Sequence, residues 1–410
     1  MARTLDVYLH EERVGILEQD DSGATRFSYL EAWLQAPQAI PISQSLPLKG
    51  EAFNRKETRP FFAGLLPEED SRKMIAKRFG ISERNDFSLL ERIGAECAGA
   101  VSLFGPAEEF SKGAGSYHEI SLEELGQKFE QLPTRPLWAG EDGVRLSLAG
   151  AQGKLAVMME DGRYFLPQNG APSSHILKPQ SLYFEDLTEN EYYCMRLAHH
   201  IGLSVAPVET GVAGGTSFLQ VERYDRMLDS NKRRRRLHQE DFCQAMGIPP
   251  ELKYQQEGGP NLKKCFALLR EVSSAPGPDV LALFDAVVFN FLIGNSDAHG
   301  KNFSLLRSES GQVRLAPLYD LVCTQAYPGL SVELAMKIGK ERKPARIQTR
   351  DWEKFFEVAE LGKPQAKRRL RDLTSRVQKE VKEMASQGSI SEKVSSLING
   401  HCQRLLGMDL

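Results

Sequence analysis

Apolar and polar residues alternate through TLDVYLHEERVGIL, residues 4–17, which predicts two short strands around a polar turn at HEER. RFSYL, after a DDSGAT turn, predicts a third strand. SRKMIAKRFG and DFSLLERIGAECAGA read as helices, and VSLFGP closes an N-terminal α/β domain over 1–110. The Gly- and Ser-rich stretch PAEEFSKGAGSYHEI reads as a linker. From residue 144, VRLSLAG, KLAVMMED, RYFLP and HILKP are strand-like runs parted by Gly, Asp and Pro. TENEYYCMRLAHHIG predicts a helix capped by Thr188 with Glu191 in its first turn, and SVAPVETGV and SFLQVERYD predict two more strands. From about 240 helical spacing dominates: DFCQAMG, NLKKCFALLREV, DVLALFDAVVFNFLI, RDWEKFFEVAEL and a charged run to SSLINGHCQRLLG. The aromatic residues of DWEKFFEV fall on one buried face. The order predicts an α+β chain: the domain over 1–110, a β-rich lobe over 111–225 and an all-helical lobe over 226–410, with a cleft between the two lobes.

One place breaks this pattern. FNFLIGNSDAHGKNFSLL, residues 289–306, begins as apolar helix and turns abruptly polar, with Asp297, His299, Lys301 and Asn302 inside six positions. A strand (FSLL), a turn (RSESGQ) and a strand (VRLAPL) follow, and they end at Tyr319-Asp320. Enzymes of the protein-kinase type carry this arrangement: a loop Asp, an Asn five residues on, a hairpin, then a second Asp that holds metal. A phosphoryl group in transfer carries dense negative charge, so Mg²⁺ must bridge its oxygens, and Mg²⁺ takes hard oxygen ligands. Asn302 offers an amide oxygen and Asp320 a carboxylate. Asp297 is left to orient or deprotonate an attacking hydroxyl, and Lys301 or His299 to stabilise charge on the γ-phosphate.

Upstream residues extend the pattern. SLAGAQGK, residues 147–154, joins two predicted strands through Gly150, Gly153 and Lys154, and backbone N–H groups in such a loop can face phosphate. Lys178 in HILKP stands where kinases place the lysine that contacts the α- and β-phosphates, with Glu191 as a potential partner. In VERYDR, the backbone of Glu222 and Tyr224 is placed to hydrogen-bond an adenine edge. Gln239 and Glu240 are further candidates to face a nucleotide.

Composition narrows the alternatives. A formal net charge of -3 gives no global attraction to nucleic acid or anionic membrane, so any polyanion site must be local. The most basic run, KRRRR at 232–236, reads as a solvated hairpin edge or as a contact to DNA phosphates. The six cysteines have no metal-ligand spacing and read as buried thiols. His199-His200 reads as a helix-end pair that complements the dipole. MARTLDVYLHEERVG has no apolar signal core, and the longest apolar run is too short to cross a bilayer, so a soluble cytoplasmic protein is expected.

RLSLAGAQGK, HILKP, NEYYC, VERYDR, LHQEDFCQAMG with PPELKYQQEGGP, LIGNSDAHGKNFS and APLYDLV, together with N-terminal VYLHEERVGIL and PFFAGLLPE, resemble the HipA family of bacterial serine/threonine protein kinases, the toxins of HipA/HipB-type pairs. The resemblance implies a two-lobed kinase-like fold and ATP- and Mg²⁺-dependent phosphorylation of protein Ser or Thr. It implies Asp297 as catalytic base, Asn302 and Asp320 as Mg²⁺ ligands and Lys178 on ATP phosphate. Glu222 and Tyr224 would form the adenine hinge, with His299 and Tyr319 lining the nucleotide. Ser147 matches a serine that is autophosphorylated, which ejects the Gly-rich loop and inactivates the enzyme. Glutamyl-tRNA synthetase as target, with dormancy as the outcome, and a helix-turn-helix antitoxin (HipB-like) that joins the toxin on operator DNA are the implied partners. Gly153 stands before Lys154 where family members carry an acidic residue. Two rival readings are a small-molecule kinase of aminoglycoside or lipid type and a non-catalytic, DNA-associated co-repressor.

Overall fold

The computed structural model describes residues 2–106, 115–140, 144–150, 152–231, 233–384 and 388–410. The chain is an α+β protein in two compact units: residues 1–179, 210–250 and 306–311 form one, and residues 180–209, 251–305 and 312–410 the other.

The first unit holds two antiparallel sheets. Strands β1 (Arg3–Leu9), β2 (Glu12–Gln19), β3 (Thr25–Tyr29) and β4 (Val101–Phe104) lie in the order β3-β2-β1-β4. Leu5, Val7 and Leu9 point alternately into a core that Phe27, Phe53 and Phe61 fill. The β1–β2 register shifts after Val7, and Gly15 lies against Phe27, where a Cβ would come within 2.5 Å of the ring. Helix Arg55–Gly64, inside which PFFAG falls, starts at a capping box of Asn54 and Glu57 and buries Phe61 and Phe62.

The second sheet orders its strands β5-β7-β6-β8-β10-β9: β5 (Ser116–Ile120), β6 (Leu155–Glu160), β7 (Arg163–Gln168), β8 (His175–Pro179), β9 (Val208–Ala213) and β10 (Thr216–Glu222). Leu155, Val157, Leu166, Leu177 and Phe218 pack beneath Leu125 and Phe129 of helix Leu122–Gln131.

Three local segments depart from their sequence patterns. The end of the expected linker, SYHEI, is strand β5, paired along its length with β7, while residues 107–114 lie outside the described residues. The expected helix DFSLLERIGAECAGA stops at Ile93, because Glu96 N–H donates to Arg145 O (3.0 Å) instead of to a helical carbonyl. VRLSLAG is not a strand. It makes one isolated parallel bridge, Leu146 to Glu96, and Ser147 N–H donates to Glu96 O (2.8 Å).

The second unit is mainly helical. Helix Pro276–Leu292 is buried on nearly every side, and its polar interruptions are accounted for within the unit. Asp285 accepts two bonds of 2.6 Å from Arg369, and Asn290 Nδ2 donates to Ala286 O (2.9 Å). Trp352, Phe355 and Phe356 of helix Thr349–Val358 are buried, as their spacing predicts. Helices Lys363–Glu383 and Ser389–Leu406 complete the bundle. Helix Leu187–His200 is entered through Asp186 in a left-handed conformation (φ +51°), with no side-chain cap. Thr188 is therefore not the cap; it lies inside the helix, and its hydroxyl donates to Gln180 Oε1 (2.9 Å). Glu189, not Glu191, is the acidic residue of the first turn, and Glu191 is buried.

All six cysteines are free and buried. Among the described residues no helix is long and apolar enough to cross a membrane.

Candidate active site

The polar loop of the second unit is built by the end of a buried helix. Helix Pro276–Leu292 stops at Ile293, and Gly294 (φ +69°) turns the chain away. Asn295, only 2% exposed, then works in three directions. Its Oδ1 accepts from Asp297 N–H (3.1 Å), and its Nδ2 donates to Asn290 Oδ1 (2.8 Å) and to Asp320 O (3.4 Å). One amide thus ties the Asp297 loop to the Asp320 segment. The Asp297 side chain is 53% exposed; its Oδ1 accepts from the Tyr254 hydroxyl (2.6 Å), and its Oδ2 lies 4.0 Å from His299 Nε2. Half-exposed and placed on a loop, this carboxylate is open to an incoming hydroxyl.

Hairpin strands Ser304–Arg307 and Val313–Leu315 carry the chain back, and Ala316 N–H donates to Ser304 O (2.8 Å). Asp279, at the start of the long helix, fixes the returning strand through Arg314 (2.8 Å) and Leu315 N–H (3.0 Å). Tyr319 then reaches back to the loop, its hydroxyl donating to Lys301 O (2.7 Å) and lying 2.7 Å from Ser304 Oγ. Asp320 follows in a left-handed conformation (φ +52°), a sparsely populated state for a non-glycine residue that surrounding contacts must hold. So the unit gathers Asp297, His299, Lys301, Asn302, Tyr319 and Asp320 into one loop-and-hairpin assembly.

Asn302 Oδ1 is buried and has no hydrogen-bond partner. An orphaned buried acceptor costs about 1–3 kcal/mol unless something else satisfies it. Together with the Asp320 carboxylate it offers the hard oxygen donors that suit a divalent ion of the Mg²⁺ kind. No group of three His, Cys, Asp or Glu able to hold a metal occurs among the described residues. A Mg²⁺ site completed by phosphate oxygens and water does not require one.

The remaining predicted residues belong to the first unit. Lys154 Nζ donates to Ala149 O (2.5 Å) and so closes the Gly-rich loop on itself; Ala151 lies outside the described residues. Gly150 has φ +103°, and a Cβ there would sit 2.6 Å from Lys154 Nζ. Ser147 is fully buried rather than solvent-facing, and its hydroxyl donates to Leu65 O (2.7 Å). Lys178 is buried on β8, in register with Leu219 of β10.

VERYDR splits by alternation. Glu222 is exposed and Tyr224 half-buried, with its hydroxyl bonded to Gln239 Oε1. Arg223, Asp225 and Arg226 turn inward to a buried ion network on Glu96. The Glu240 carboxylate takes the Ser43 hydroxyl (2.5 Å) and Gln44 N–H (3.0 Å).

KRRRR forms the expected hairpin, Arg226–Leu228 against Arg234–Arg236, with Lys232 outside the described residues. It is not wholly solvated. Arg236 donates to Ser102 Oγ (2.7 Å) and Gly170 O (2.6 Å), and Arg235 to Asp229 (3.3 Å). His200, the last residue of helix Leu187–His200, is engaged by Glu380 (2.7 Å).

Sequence reasoning missed Asn295, Tyr254 and the Glu96 network. Asn295 had a signal, since it sits two positions before Asp297 in the same polar run. Glu96 had none.

Comparisons with known proteins place the chain in a family over most of its length. Residues 5–104 match the HipA N-terminal domain family, and residues 146–384 the HipA-like C-terminal domain family. The Sinorhizobium fredii protein Y4mE is 49% identical over 376 residues, 90% of this chain and 89% of that protein. The serine/threonine-protein kinase toxin HipA of Shewanella oneidensis is 31% identical over 84% of this chain and 80% of its own length. A solved structure of Shewanella oneidensis HipA with HipB and operator DNA matches with a TM-score of 0.86 at 27% identity, covering 99% of this chain and 98% of that one.

Proposed function

The chain belongs to the HipA family, and on that premise we propose that it is a serine/threonine protein kinase of the toxin type that uses ATP and Mg²⁺. The observation that carries this reading is the assembly of Asp297, Asn302 and Asp320 around one loop and hairpin, with Asn302 Oδ1 buried and unpartnered. Asn302 and Asp320 would hold Mg²⁺. When bound, the ion neutralises charge on the phosphoryl oxygens. Asp297 orients the acceptor hydroxyl and takes its proton. His299, 4.0 Å from Asp297 Oδ2, and Lys301 would stabilise developing negative charge, and Tyr319 would line the nucleotide. Lys178 contacts the α- and β-phosphates, Gly150 and Lys154 belong to the phosphate-facing loop, and the backbone of Glu222 and Tyr224 meets the adenine edge.

The protein acceptor we favour is a translation component such as glutamyl-tRNA synthetase. The partner is a HipB-like helix-turn-helix antitoxin, with operator DNA met mainly through it and the cytoplasm as the place of action; the solved HipA–HipB–operator complex supports this assignment. The test is incubation of the full chain with Mg²⁺ and ATP followed by intact mass. Phosphate on the protein supports a protein kinase. ATP binding without turnover would instead favour the co-repressor, and turnover only with a small-molecule acceptor a small-molecule kinase.

Ser147 is the proposed autophosphorylation site. Because it is buried and bonded to Leu65 O, the segment must leave its place before the hydroxyl can react. A phosphate then adds about -1.5 to -2 charges next to a triphosphate site and opposes its return. Ser147→Ala is expected to keep kinase activity but not to lose it over time in Mg²⁺ and ATP, as followed by activity and intact mass. An equal decay in both proteins would count against this role.

A further inference from the structure

NEYYC, residues 190–194, opens with Asn190, which none of the roles above uses. It lies in helix Leu187–His200 and is fully buried. Its amide oxygen Oδ1 accepts from Cys323 N–H (2.8 Å) and lies 3.6 Å from Cys194 Sγ. Its Nδ2 donates to Cys323 O (3.1 Å) and to the Tyr327 hydroxyl (3.3 Å). Two acceptor and two donor positions are thus filled, the full capacity of an amide, and that fixes its orientation. The side chain grips both main-chain groups of one residue, Cys323, three positions beyond Asp320.

The same stretch is fastened two positions before Asp320. Leu318 N–H donates to Ser204 O (2.8 Å), and Ala206 N–H donates to Leu318 O (2.9 Å). Asp320 therefore stands between two clamps, both supplied by residues 190–206, in its left-handed conformation (φ +52°). A non-glycine residue keeps such a conformation only where its surroundings over-determine it. Asn295, 3.4 Å from Asp320 O, and Thr324, whose hydroxyl takes Ser296 N–H (2.8 Å), fasten the stretch to the Asp297 loop instead.

We propose that Asn190 is a positioning residue for the divalent ion, its grip on Cys323 holding the turn that sets the Asp320 carboxylate in place as a ligand. This rests on the reading of Asp320 as a metal ligand. Asn190 touches neither ion nor nucleotide in this role. It acts through the main chain of residues 320–323, as groups one layer out from a metal ligand do when they orient it.

The test uses Asn190→Ala and Asn190→Ser in the full chain. The serine leaves a hydroxyl and room for water to meet the freed Cys323 groups, so it tolerates the change where alanine does not fold. Val377→Ala, at a buried position of helix Lys363–Glu383, serves as the control for a general loss of stability. A non-hydrolysable ATP analogue is titrated by calorimetry over a series of Mg²⁺ concentrations, and phosphate incorporation from ATP is followed by intact mass over the same series. The Mg²⁺ concentration for half-maximal effect is expected to rise by about ten- to a hundred-fold in the Asn190 variants, the usual cost of losing a group that orients a metal ligand. It should stay at the wild-type value in Val377→Ala. Affinity for the analogue without Mg²⁺ should be unchanged, and hydrogen exchange of residues 318–327 should be faster in the metal-free Asn190 variants. A wild-type Mg²⁺ requirement in a folded Asn190 variant overturns the inference. So does the same rise in Val377→Ala, or exchange of 318–327 equal to the wild type. An equal loss of affinity with and without Mg²⁺ also overturns it, because Asn190 would then serve the nucleotide site as a whole. If neither Asn190 variant folds, the residue serves folding and the inference falls. A wild-type protein whose nucleotide binding and phosphate transfer are indifferent to Mg²⁺ overturns the reading of Asp320 itself, so the two failures are told apart.

Discussion

Asp297→Asn is expected to lower phosphoryl transfer by about 10²- to 10⁴-fold, the range a positioned general base supplies, and to leave nucleotide binding nearly unchanged. The substitution keeps the shape of the side chain. An amide oxygen at Oδ1 can still accept from the Tyr254 hydroxyl, and the main-chain bond to Asn295 is untouched. What disappears is the negative charge and the capacity to take a proton. The side chain is half-exposed, so no buried charge is stranded and stability should stay within about 0.5 kcal/mol. Single-turnover transfer, read by phosphate on the protein, measures the loss, and calorimetric titration of nucleotide measures the binding. Asp320→Asn is expected to behave differently. Removing a proposed metal ligand should weaken nucleotide binding in Mg²⁺ more than without it. If Asp297→Asn transfers at the wild-type rate, the base lies elsewhere. If Asp320→Asn binds nucleotide with unchanged Mg²⁺ dependence, the metal assignment is wrong.

The contrast between these residues and Glu96 explains what could be read from the chain. Asp297, Asn302, Tyr319 and Asp320 fall within one helix end and one hairpin, so spacing along the sequence reports their neighbourhood directly. The alternation of β1 and the apolar face of DWEKFFEV were legible for the same local reason. The bond from Arg223 to Glu96 spans 127 residues, and no period in the sequence reports a partner so distant. In VERYDR the sequence points to Glu222 and Tyr224, while the alternate residues Arg223 and Asp225 carry the packing. Thr188 fits a cap in the sequence but is not one, because a left-handed Asp186 opens the helix, an entry that the usual capping pattern does not describe. VRLSLAG looked like a strand because its apolar residues are buried. They are buried in the core of the first unit, while Ser147 bonds to Glu96 O and Leu65 O and a single bridge stands in place of a ladder.

Glu96→Gln is expected to destabilise the protein by about 3–5 kcal/mol, the cost of stranding buried charge when one member of a buried ion pair is removed. Glu96 and Asp225 face Arg223 and Arg226, two charges against two, with every side chain at most 4% exposed. Glu96 Oε1 alone accepts from Arg226 (2.9 Å), Arg223 (3.4 Å), Ser173 N–H (2.8 Å) and the Ser173 hydroxyl (2.9 Å). The Gln side chain retains the volume and one carbonyl acceptor but leaves two buried guanidinium groups facing one carboxylate. Denaturant unfolding should show a lower midpoint with an unchanged slope.

The same network predicts a pH signature. Burial pushes the Glu96 carboxyl up, but Arg223 and Arg226, helped by Arg236, outweigh it and hold the carboxyl below its ordinary value of 4.5. Asp225 is held down in the same way, against burial, by Arg223 and Arg226. A carboxyl depressed in the folded state binds protons more readily once unfolded, so its contribution is complete above the ordinary value and fades as pH falls below it. Wild-type stability should therefore drop more steeply with acidification below pH 4.5 than that of Glu96→Gln, which has lost one of the two depressed groups. The loss would also reach the elements proposed to bind nucleotide. Glu96 O holds Ser147 N–H at the base of the Gly-rich loop, and its side chain holds the arginines that flank Tyr224. Equal acid slopes in the two proteins, or equal midpoints at neutral pH, would mean that the paired charges do not stabilise this unit.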